Sequence, residues 1–302
     1  MVNRRILLIG TQGQVGWELL RCAQSLGMVF SVDKLSDVFA TDYIDLASPD
    51  SIRAVVKRIK PTLILNAAAY TAVDKAEQDS ELAYKINGTA PGILAELAKS
   101  LGAWLVHYST DYVYDGQKQQ PYQEDDPVNP MSVYGASKLA GDQAIQAVGG
   151  QYLIFRTAWV YGRRGQNFLL TMQRLAKERE ELRIVNDQKG TPTWSKMIAE
   201  ATVQILAQLQ SPLLKSSPEE LSGIYHLTGG GQTTWYEFTK AIVAHLDLDK
   251  PPRILPITTA EYPTPAKRPA YSVLANAKIA NTFGITLPAW DKALELCLMT
   301  HL

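Results

Sequence analysis

Three pairs in the sequence have a tyrosine four residues before a lysine: Tyr114/Lys118, Tyr134/Lys138 and Tyr236/Lys240. On a helix this spacing places a phenol and an ammonium on one face. Reduction of a ketone by a nicotinamide cofactor needs an acid for the developing alkoxide, and a tyrosine can be that acid. The ammonium favours the tyrosinate form and is expected to move the phenol pKa from its reference near about 10 toward neutrality.

The sequence around the three pairs favours Tyr134/Lys138. The first pair contains the turn dipeptide Asp115-Gly116, so its side chains need not share a helical face. The third pair lies in the C-terminal half just after a predicted capping box, a pattern typical of a helix surface. Tyr134, by contrast, lies at the start of a helix predicted over residues 137–147, after a polar loop and before a further strand. We therefore predict that Tyr134 and Lys138 carry the chemistry.

A hydroxyl group is predicted to lie near this pair. Ser109, Thr110 and Asp111 directly follow an apolar run over residues 103–108 that predicts a buried strand. Parallel sheets bind ligands outside the carboxyl ends of their strands. Thr110 is therefore placed to bond a substrate carbonyl or the tyrosine, and we predict Thr110, Tyr134 and Lys138 as the catalytic group.

A glycine-rich loop indicates the cofactor site. Gly10, Gly13 and Gly16 lie between the first predicted strand (residues 6–9) and the first predicted helix (residues 14–26). Glycines there allow a tight turn, a close approach of pyrophosphate to the backbone, and close packing of helix on strand. The spacing is G-x-x-G-x-x-G rather than G-x-G-x-x-G. A tight turn without a ligand is the alternative interpretation.

Asp33 closes the next predicted strand, 17 residues after Gly16. Its carboxylate is placed to accept the ribose 2′-hydroxyl of NAD, whereas Lys34 beside it is suited to a 2′-phosphate of NADP. A solvated acidic residue in a loop is the third interpretation. Asp45 and Leu46 follow the next apolar segment and would flank the adenine. The sequence leaves NADH and NADPH open.

Strands and helices alternate through at least the first 160 residues. Apolar runs predict strands at residues 6–9, 28–32, 63–65, 103–108 and 151–160, and helical spacing lies between them at 14–26, 52–59 and 80–101. Gly88 and Pro91 should divide the last of these helices, with Thr89 as the cap of its second part. This alternation predicts an α/β fold with a Rossmann-like, doubly wound parallel sheet.

The pattern loosens beyond residue 165. Helices are predicted over residues 168–177, 195–209, 235–246, 276–282 and 289–302, and residues 251–269, with six prolines, predict an extended surface connection. We predict a dinucleotide-binding Rossmann domain at residues 1–160 and a smaller, mainly helical substrate-binding lobe at residues 161–302. Later segments are expected to return to the sheet.

Composition excludes several classes of protein. The 302 residues are 46% hydrophobic, and 30 basic side chains balance 30 acidic ones, so a strongly cationic nucleic-acid or membrane surface is ruled out. Cys22 and Cys297 are too few for a disulfide framework. No stretch approaches the about 18 apolar residues of a membrane helix. We expect a cytoplasmic protein that binds neither nucleic acid nor membrane.

With these residues in view, the chain resembles the extended short-chain dehydrogenases/reductases and, within them, the dTDP-4-dehydrorhamnose reductase family. The resemblance spans nearly the whole length. The segments that carry it are residues 10–19, 66–75, 107–114, 134–141, 156–161, 186–188 and 262–269. Two departures are small: Tyr70 stands where a histidine is frequent, and Ala136-Ser137 replace the usual pair inside the tyrosine motif.

The resemblance implies NADH- or NADPH-dependent reduction of the C4 keto group of dTDP-4-dehydro-β-L-rhamnose to dTDP-β-L-rhamnose. It makes Tyr134 the acid and gives Thr110 the role usually held by a serine, while Lys138 holds the nicotinamide ribose. The residues that it implies for the cofactor are Gly10, Gly13, Gln14, Val15, Gly16, Asp33, Asp45, Leu46, Ala69, Tyr70, Thr71, Tyr108, Tyr134 and Lys138. It implies substrate contacts for Thr110, Asp111 and Trp159.

Four residues have two interpretations each. Trp159, at the end of a predicted strand, would be a core residue or would stack on a sugar; the resemblance favours substrate contact. Arg268, among prolines, would pair with the substrate diphosphate or remain solvated. Glu18 and Glu200 match carboxylates that in some family members hold Mg²⁺ at a dimer interface, which would imply a homodimer. From the residues alone they are helix-surface glutamates.

Two other functions remain open. Another nucleotide-sugar enzyme of the superfamily, an epimerase or 4,6-dehydratase, would keep its NAD and regenerate it each cycle. A dehydratase also needs an acid pair beside the threonine, and here Asp111 is followed by Tyr112. The second alternative is a cofactor-binding regulatory subunit without catalysis, which would have no need of Thr110, Tyr134 and Lys138 together.

Overall fold

The alternating apolar runs form strands in a computed structural model, which describes residues 4–34, 42–211 and 216–299. The strands are β1 (Arg5–Ile9), β2 (Met28–Asp33), β3 (Asp42–Tyr43), β4 (Leu63–Asn66), β5 (Trp104–Thr110), β6 (Tyr152–Thr157), β7 (Val160–Tyr161), β8 (Glu181–Val185), β9 (Lys189–Gly190), β10 (Thr193–Trp194), β11 (Gly223–His226), β12 (Thr233–Thr234) and β13 (Arg253–Ile257).

Amphipathic segments between and after these strands form the helices. They are α1 (Gln14–Cys22), α2 (Pro49–Ile59), α3 (Val73–Ala76), α4 (Ser80–Tyr84), α5 (Ala90–Leu101), α6 (Val133–Val148), α7 (Phe168–Glu178), α8 (Ser195–Leu209), α9 (Pro218–Leu221), α10 (Trp235–Ala244), α11 (Ala277–Phe283) and α12 (Trp290–Met299). None of the helices within the described ranges is long and apolar enough to cross a membrane.

Seven parallel strands form the main sheet, in the order β11-β6-β5-β4-β1-β2-β3. Side chains of β1 alternate between two cores, with Ile6 and Leu8 in one and Leu7 and Ile9 in the other. Both faces of the sheet are therefore covered, which explains why the central strands are continuous apolar runs. The predicted doubly wound α/β fold is confirmed.

The crevice of this sheet lies where the strand order reverses. From β1 the chain proceeds to β2 on one side, and it later returns to β4 on the other side. In doubly wound sheets a ligand binds outside the carboxyl ends of the strands at such a reversal. The glycine loop (residues 10–16) follows β1, and residues 67–71 follow β4.

Two helix boundaries differ from the prediction. Helix α6 begins at Val133, four residues earlier than expected, because the Ser132 side chain caps it by accepting a hydrogen bond from the Gly135 N–H. Between α4 and α5 the chain forms a π-helical turn over Lys85–Thr89, and Thr89 makes no capping hydrogen bond with its side chain. The predicted cap at Thr89 is therefore wrong, since the helical path continues through it.

The C-terminal region contains the predicted helices and also strands that were not predicted. The last helix is described up to Met299, and residues 300–302 of its predicted range lie outside the described residues. Strand β11 joins the main sheet beside β6. Strand β13 lies within the proline-rich segment and pairs in parallel with β8. Pro256 is tolerated there because a two-stranded sheet leaves one edge of each strand without a ladder partner. Residues 251–269 are thus only partly an extended connection.

Candidate active site

Two glycines of the loop are required by the protein's own packing. Gly10 has φ +88°, and a Cβ there would lie 2.6 Å from the backbone nitrogen of Ala68. A Cβ at Gly16 would overlap the carbonyl group of Gly10. These positions let β1, α1 and the segment after β4 approach one another, so a glycine is needed at each of them with or without a ligand.

Gly13 is different because the protein itself leaves room there. A Cβ at Gly13 would lie 3.4 Å from its nearest neighbour, which is ordinary contact, and the residue is exposed. It is the N-cap of α1, and no side chain caps this helix end. Free N–H groups and the helix dipole at an uncapped N-terminus suit an anion such as a pyrophosphate. The loop therefore fits a dinucleotide.

The side chains of the two residues after Gly13 contact other parts of the protein. The Gln14 side chain reaches away from the loop, donating to the Val160 carbonyl at 3.3 Å and accepting from Asn167 Nδ2 at 3.0 Å. Val15 packs against the hydrophobic core. Contact of these two residues with a cofactor would accordingly be made by the backbone at the start of α1.

Asp33 lies at the end of β2 beside the glycine loop. Its carboxylate accepts hydrogen bonds from the N–H groups of Gln12 at 3.0 Å and Lys34 at 2.7 Å. The Lys34 ammonium lies 3.7 Å from the Asp45 carboxylate. Leu46 is buried in the core. Asp33 therefore lies against the glycine loop with Lys34 next to it, and this arrangement excludes neither NADH nor NADPH.

The segment after β4 is held by a residue that the sequence analysis missed. Asn87, fully buried in the π-helical turn, accepts from the Tyr70 N–H at 2.9 Å and donates to the Tyr70 carbonyl at 3.0 Å. Its amide also donates to Ser137 Oγ on α6 at 3.0 Å. Asn87 thereby fixes the Tyr70 backbone against α6. No motif in the sequence around Asn87 indicated this role.

The structure brings together Thr110, at the end of β5, and Tyr134, in the first turn of α6. Their hydroxyl groups are hydrogen-bonded to each other. Thr110 also donates to Asp111 Oδ1 at 3.1 Å and accepts from the Tyr112 N–H at 3.2 Å. Thr110 is nearly buried, whereas Tyr134 is partly exposed. A carbonyl that enters beside Tyr134 would meet both hydroxyl groups.

Lys138 is almost completely buried, at 1% exposure. Its ammonium donates to the Tyr108 carbonyl at 2.6 Å and lies 3.0 Å from His107 Nε2. Burial lowers the Lys138 pKa to about 8, against the opposing effect of Asp142 one turn later on α6. Of Tyr108, only the carbonyl reaches this site, because its hydroxyl bonds Thr202 at 2.9 Å.

The expected direction of the Tyr134 pKa is wrong. Burial raises the pKa of this phenol to about 12, and the hydrogen bond with Thr110 opposes the rise only in part. Removal from water disfavours the charged tyrosinate more than the neighbouring groups favour it. Tyr134 therefore holds its proton across the neutral range, in the form that an acid requires before it protonates an alkoxide.

Asp111 and Arg268 have partners within the protein. Asp111 is 2% exposed, and burial raises its pKa to about 6. Arg268 donates to both oxygens of Asp74, at 2.8 and 3.2 Å, and is hydrogen-bonded to Tyr112. These contacts tie the proline-rich segment to α3 through Asp74 and to the turn after β5 through Tyr112. Contact of Asp111 or Arg268 with a substrate stays a prediction.

Trp159 does not end a strand as predicted. Strand β6 stops at Thr157, and Trp159 adopts a left-handed conformation with φ +45° before β7 begins. Its indole stacks on Trp235 with ring centroids 3.5 Å apart and an interplanar angle of 6°. A Cβ at Gly190 would overlap the indole ring. The partly exposed Trp159 indole thus stacks on the Trp235 ring and occupies the space that Gly190 leaves by having no side chain.

The remaining motifs lie outside this site. Tyr114 is buried and bonds the Gln123 carbonyl, and Lys240 lies 5.3 Å above the Tyr236 ring and pairs with Glu237. Neither alternative tyrosine–lysine pair faces the crevice.

The structure gives no support for Mg²⁺. Glu18 lies 3.3 Å from Arg21, and Glu200 lies 3.8 Å from Lys196, so each carboxylate has a cationic side chain as partner. Burial raises the Glu18 pKa. Across residues 4–34, 42–211 and 216–299, no group of three or more histidine, cysteine, aspartate or glutamate side chains could hold a metal ion.

The fold and the site define a Rossmann-fold NAD(P)-dependent oxidoreductase of the extended short-chain type. The defining features are the parallel sheet, the glycine loop and the group of Thr110, Tyr134 and Lys138. Comparison with known proteins identifies the family within this class. The family model "RmlD substrate binding domain" matches residues 4–302. A dTDP-4-dehydrorhamnose reductase of Burkholderia thailandensis is 48% identical, with 97% of each chain covered. The chain belongs to the dTDP-4-dehydrorhamnose reductase family.

Solved structures agree with this membership. The dTDP-4-dehydrorhamnose reductase of Clostridium acetobutylicum is similar with a TM-score of 0.85 and 37% identity, covering 97% of this chain and 98% of that one. The enzyme of the same name from Bacillus anthracis, solved in complex with NADP, has a TM-score of 0.84 and 33% identity, covering 99% of this chain and 100% of that one.

Proposed function

We propose that this protein reduces the C4 keto group of dTDP-4-dehydro-β-L-rhamnose to give dTDP-β-L-rhamnose, a step of dTDP-rhamnose biosynthesis, with NADPH or NADH as the reductant. The observation that carries the proposal is the hydrogen-bonded Thr110 and Tyr134 beside the buried Lys138, at the crevice next to the glycine loop. Family membership supplies the substrate, because one fold hosts many chemistries.

The side chains divide the work as follows. Bound NADPH supplies a hydride to C4 of the sugar. Tyr134 gives its proton to the developing oxygen at O4, so that the ketone becomes a secondary alcohol, and the tyrosinate recovers a proton from solvent. Thr110 donates a hydrogen bond to the same oxygen as negative charge develops there. Lys138 holds the nicotinamide ribose with its ammonium group.

The remaining predicted contacts complete the site. The proposed cofactor contacts are the backbone of residues 10–16 with Asp33, Asp45 and Leu46 on one side and Ala69, Tyr70 and Thr71 on the other. The proposed substrate contacts are Asp111, Trp159 and Arg268. The NADP in the Bacillus anthracis relative supports the cofactor class. We keep both NADPH and NADH in the proposal because an acidic and a basic residue, Asp33 and Lys34, lie next to each other beside the glycine loop.

The test is an assay of reduced-cofactor oxidation with a dTDP-4-keto-6-deoxy-L-sugar, with NADPH and NADH supplied in turn. We expect stoichiometric oxidation and formation of the 4-hydroxy sugar nucleotide. Turnover without added cofactor, by protein that carries tightly held NAD, would instead identify an epimerase or dehydratase. Cofactor binding without turnover in the presence of the correct sugar would identify a regulatory subunit.

Gly13→Ala tests the cofactor site directly. Because the protein has room for this Cβ, we expect an unchanged thermal unfolding temperature and an NADPH Kd raised roughly tenfold or more by a methyl group between backbone and pyrophosphate. The matched variant Gly16→Ala should instead destabilise the fold, since its Cβ overlaps the Gly10 carbonyl. Unchanged NADPH affinity in folded Gly13→Ala would contradict the proposed location of the pyrophosphate.

Assembly and location are part of the proposal too. A homodimer and a cytoplasmic location stay predictions from the sequence. Sedimentation or light scattering of the purified protein measures the oligomeric state.

A further inference from the structure

The surroundings of Lys138 contain two side chains that the proposed mechanism does not use. An ammonium group has three hydrogens and no acceptor. The Tyr108 carbonyl takes one at 2.6 Å, and His107 Nε2 lies 3.0 Å from the same nitrogen. Both partners are consecutive residues of β5. Because Lys138 is 1% exposed, water cannot replace a lost partner on this side.

The His107 imidazole is neutral in this environment. It is 1% exposed, and burial together with the Lys138 ammonium lowers its pKa well below 6.5. A neutral imidazole has one N–H and one lone pair. Because Nε2 faces an ammonium, which can only donate, the lone pair must be on Nε2 and the hydrogen on Nδ1.

Asn66 completes the arrangement from the neighbouring strand. It is paired with His107 in the parallel register of β4 and β5, is 1% exposed, and has its amide 3.0 Å from Nδ1. With the amide nitrogen toward Nδ1, Oδ1 has no hydrogen-bond partner. A half-turn of the amide, which moves no other group, presents the oxygen to the Nδ1 hydrogen. The hydrogen on Nδ1 then meets an acceptor, as buried donors normally do.

We propose that His107 and Asn66 are positioning residues for Lys138: His107 Nε2 accepts one ammonium hydrogen, Asn66 fixes the required tautomer, and the third hydrogen is left for the nicotinamide ribose. The inference rests on the proposed function in assigning Lys138 to that ribose. Neither side chain touches the reacting atoms. They act by holding a charged donor in a dry site, in one orientation.

Three substitutions at His107 separate these contacts. Glutamine places an acceptor near the position of Nε2 and should keep the bond to Lys138. Asparagine reaches only the position of Nδ1, so it keeps the contact with Asn66 alone, and leucine keeps neither. A hydrogen bond to a charged group contributes about 1.5–3 kcal/mol. We therefore expect the NADPH Kd to rise roughly 10–100-fold in His107→Asn and His107→Leu, but only about threefold in His107→Gln.

The pH dependence of NADPH binding gives an independent readout. Binding should weaken as rising pH removes the proton from Lys138, whose pKa is about 8. Loss of the imidazole acceptor destabilises the ammonium, so the decline should begin at lower pH in His107→Asn and His107→Leu and not in His107→Gln. The other charged or titratable groups around Lys138 stay in place in all variants: Asp142 and Tyr134 on α6, Asp111 after β5, and Arg156 on β6.

The experiment measures NADPH Kd between about pH 6 and 9 by fluorescence for the full-length wild type and these variants, with thermal unfolding to establish that each is folded. The proposal is wrong if folded His107→Leu and His107→Asn keep the wild-type affinity and pH dependence, or if His107→Gln is impaired as strongly as His107→Leu. Should the His107 variants fail to fold, Asn66→Leu, which leaves the imidazole present but frees its tautomer, must show the same shift at smaller size; wild-type behaviour there overturns the proposal. NADPH binding can be measured without the sugar. If the wild type binds NADPH but does not reduce the keto sugar, the proposed function is wrong, and the binding measurements still decide the positioning role of His107 and Asn66.

Discussion

The Lys138 site and the Trp159 cluster hold their side chains by different means. At Lys138, buried polar groups fix one another through directed hydrogen bonds to Tyr108 and His107. At Trp159, a left-handed turn, a parallel ring and a glycine fix an indole by shape. The comparison teaches that single polar atoms should control rate and cofactor affinity at the first site, whereas volume should control affinity for the sugar nucleotide at the second.

The largest effect is expected from Tyr134→Phe. Loss of the phenolic proton should lower kcat by roughly 10²–10⁴, the usual contribution of general acid catalysis, with NADPH affinity little changed. Steady-state kinetics with the keto sugar nucleotide measure this, and Tyr236→Phe, on the other tyrosine–lysine helix, is the control. Near wild-type kcat in Tyr134→Phe would remove Tyr134 from the mechanism.

Thr110→Val should have the next largest effect. It removes a hydroxyl from the developing alkoxide and from Tyr134, and we expect kcat to fall by about 10². Thr110→Ser keeps the hydroxyl and should retain most of the activity. If the valine variant is as active as the serine variant at saturating substrate, then the Thr110 side chain contributes only to packing. The difference between the Lys138 site and the Trp159 cluster would then be smaller than we infer.

Gly190→Ala tests the aromatic cluster. Its Cβ would overlap the Trp159 indole, and overpacking of this kind costs about 1–3 kcal/mol. We expect the KM for the sugar nucleotide to rise roughly tenfold with a smaller change in kcat. Gly223→Ala, where the nearest atom to the new Cβ is 3.7 Å away, is the control. A fall in kcat without a change in KM would mean that Trp159 does not act through affinity.

The smallest effect concerns stability in acid. His226 is fully buried, bonds Tyr114 at 2.8 Å, and has its pKa lowered to about 3 by burial and by Arg156. In the unfolded chain the His226 imidazole binds a proton near pH 6.5, whereas in the folded protein it does so only near pH 3. The stability is therefore fully present above pH 6.5 and declines as the pH falls toward 3.

His226→Gln should remove part of this decline. Between about pH 7 and 5.5 we expect its free energy of unfolding to fall by about 1 kcal/mol less than that of the wild type. Urea unfolding at both pH values measures this, and His245→Gln, at an exposed position, should behave as the wild type does. An equal decline in both variants would show that other groups dominate the acid response of this polar region.

The sequence by itself determined the features that depend on neighbouring residues. Apolar runs and helical spacing predicted the strands and helices of the sheet, and Gly10, Gly13 and Gly16 marked the loop. The predicted capping box includes Thr234, whose side chain accepts a hydrogen bond from the Glu237 N–H at the start of α10. The choice of Tyr134/Lys138 over two similar pairs also followed from local context, because a tyrosine and a lysine four apart share a face wherever the helix lies.

Only the tertiary structure decided what surrounds those groups. His107 and Asn66 are 41 residues apart, and they meet because β4 and β5 pair in one register. The left-handed turn at Trp159 and the pairing of β8 with β13 likewise depend on contacts between distant segments. The direction of the Tyr134 pKa was mispredicted for the same reason. A charge four residues away is visible in the sequence, but the exclusion of water that outweighs it comes from the packed fold.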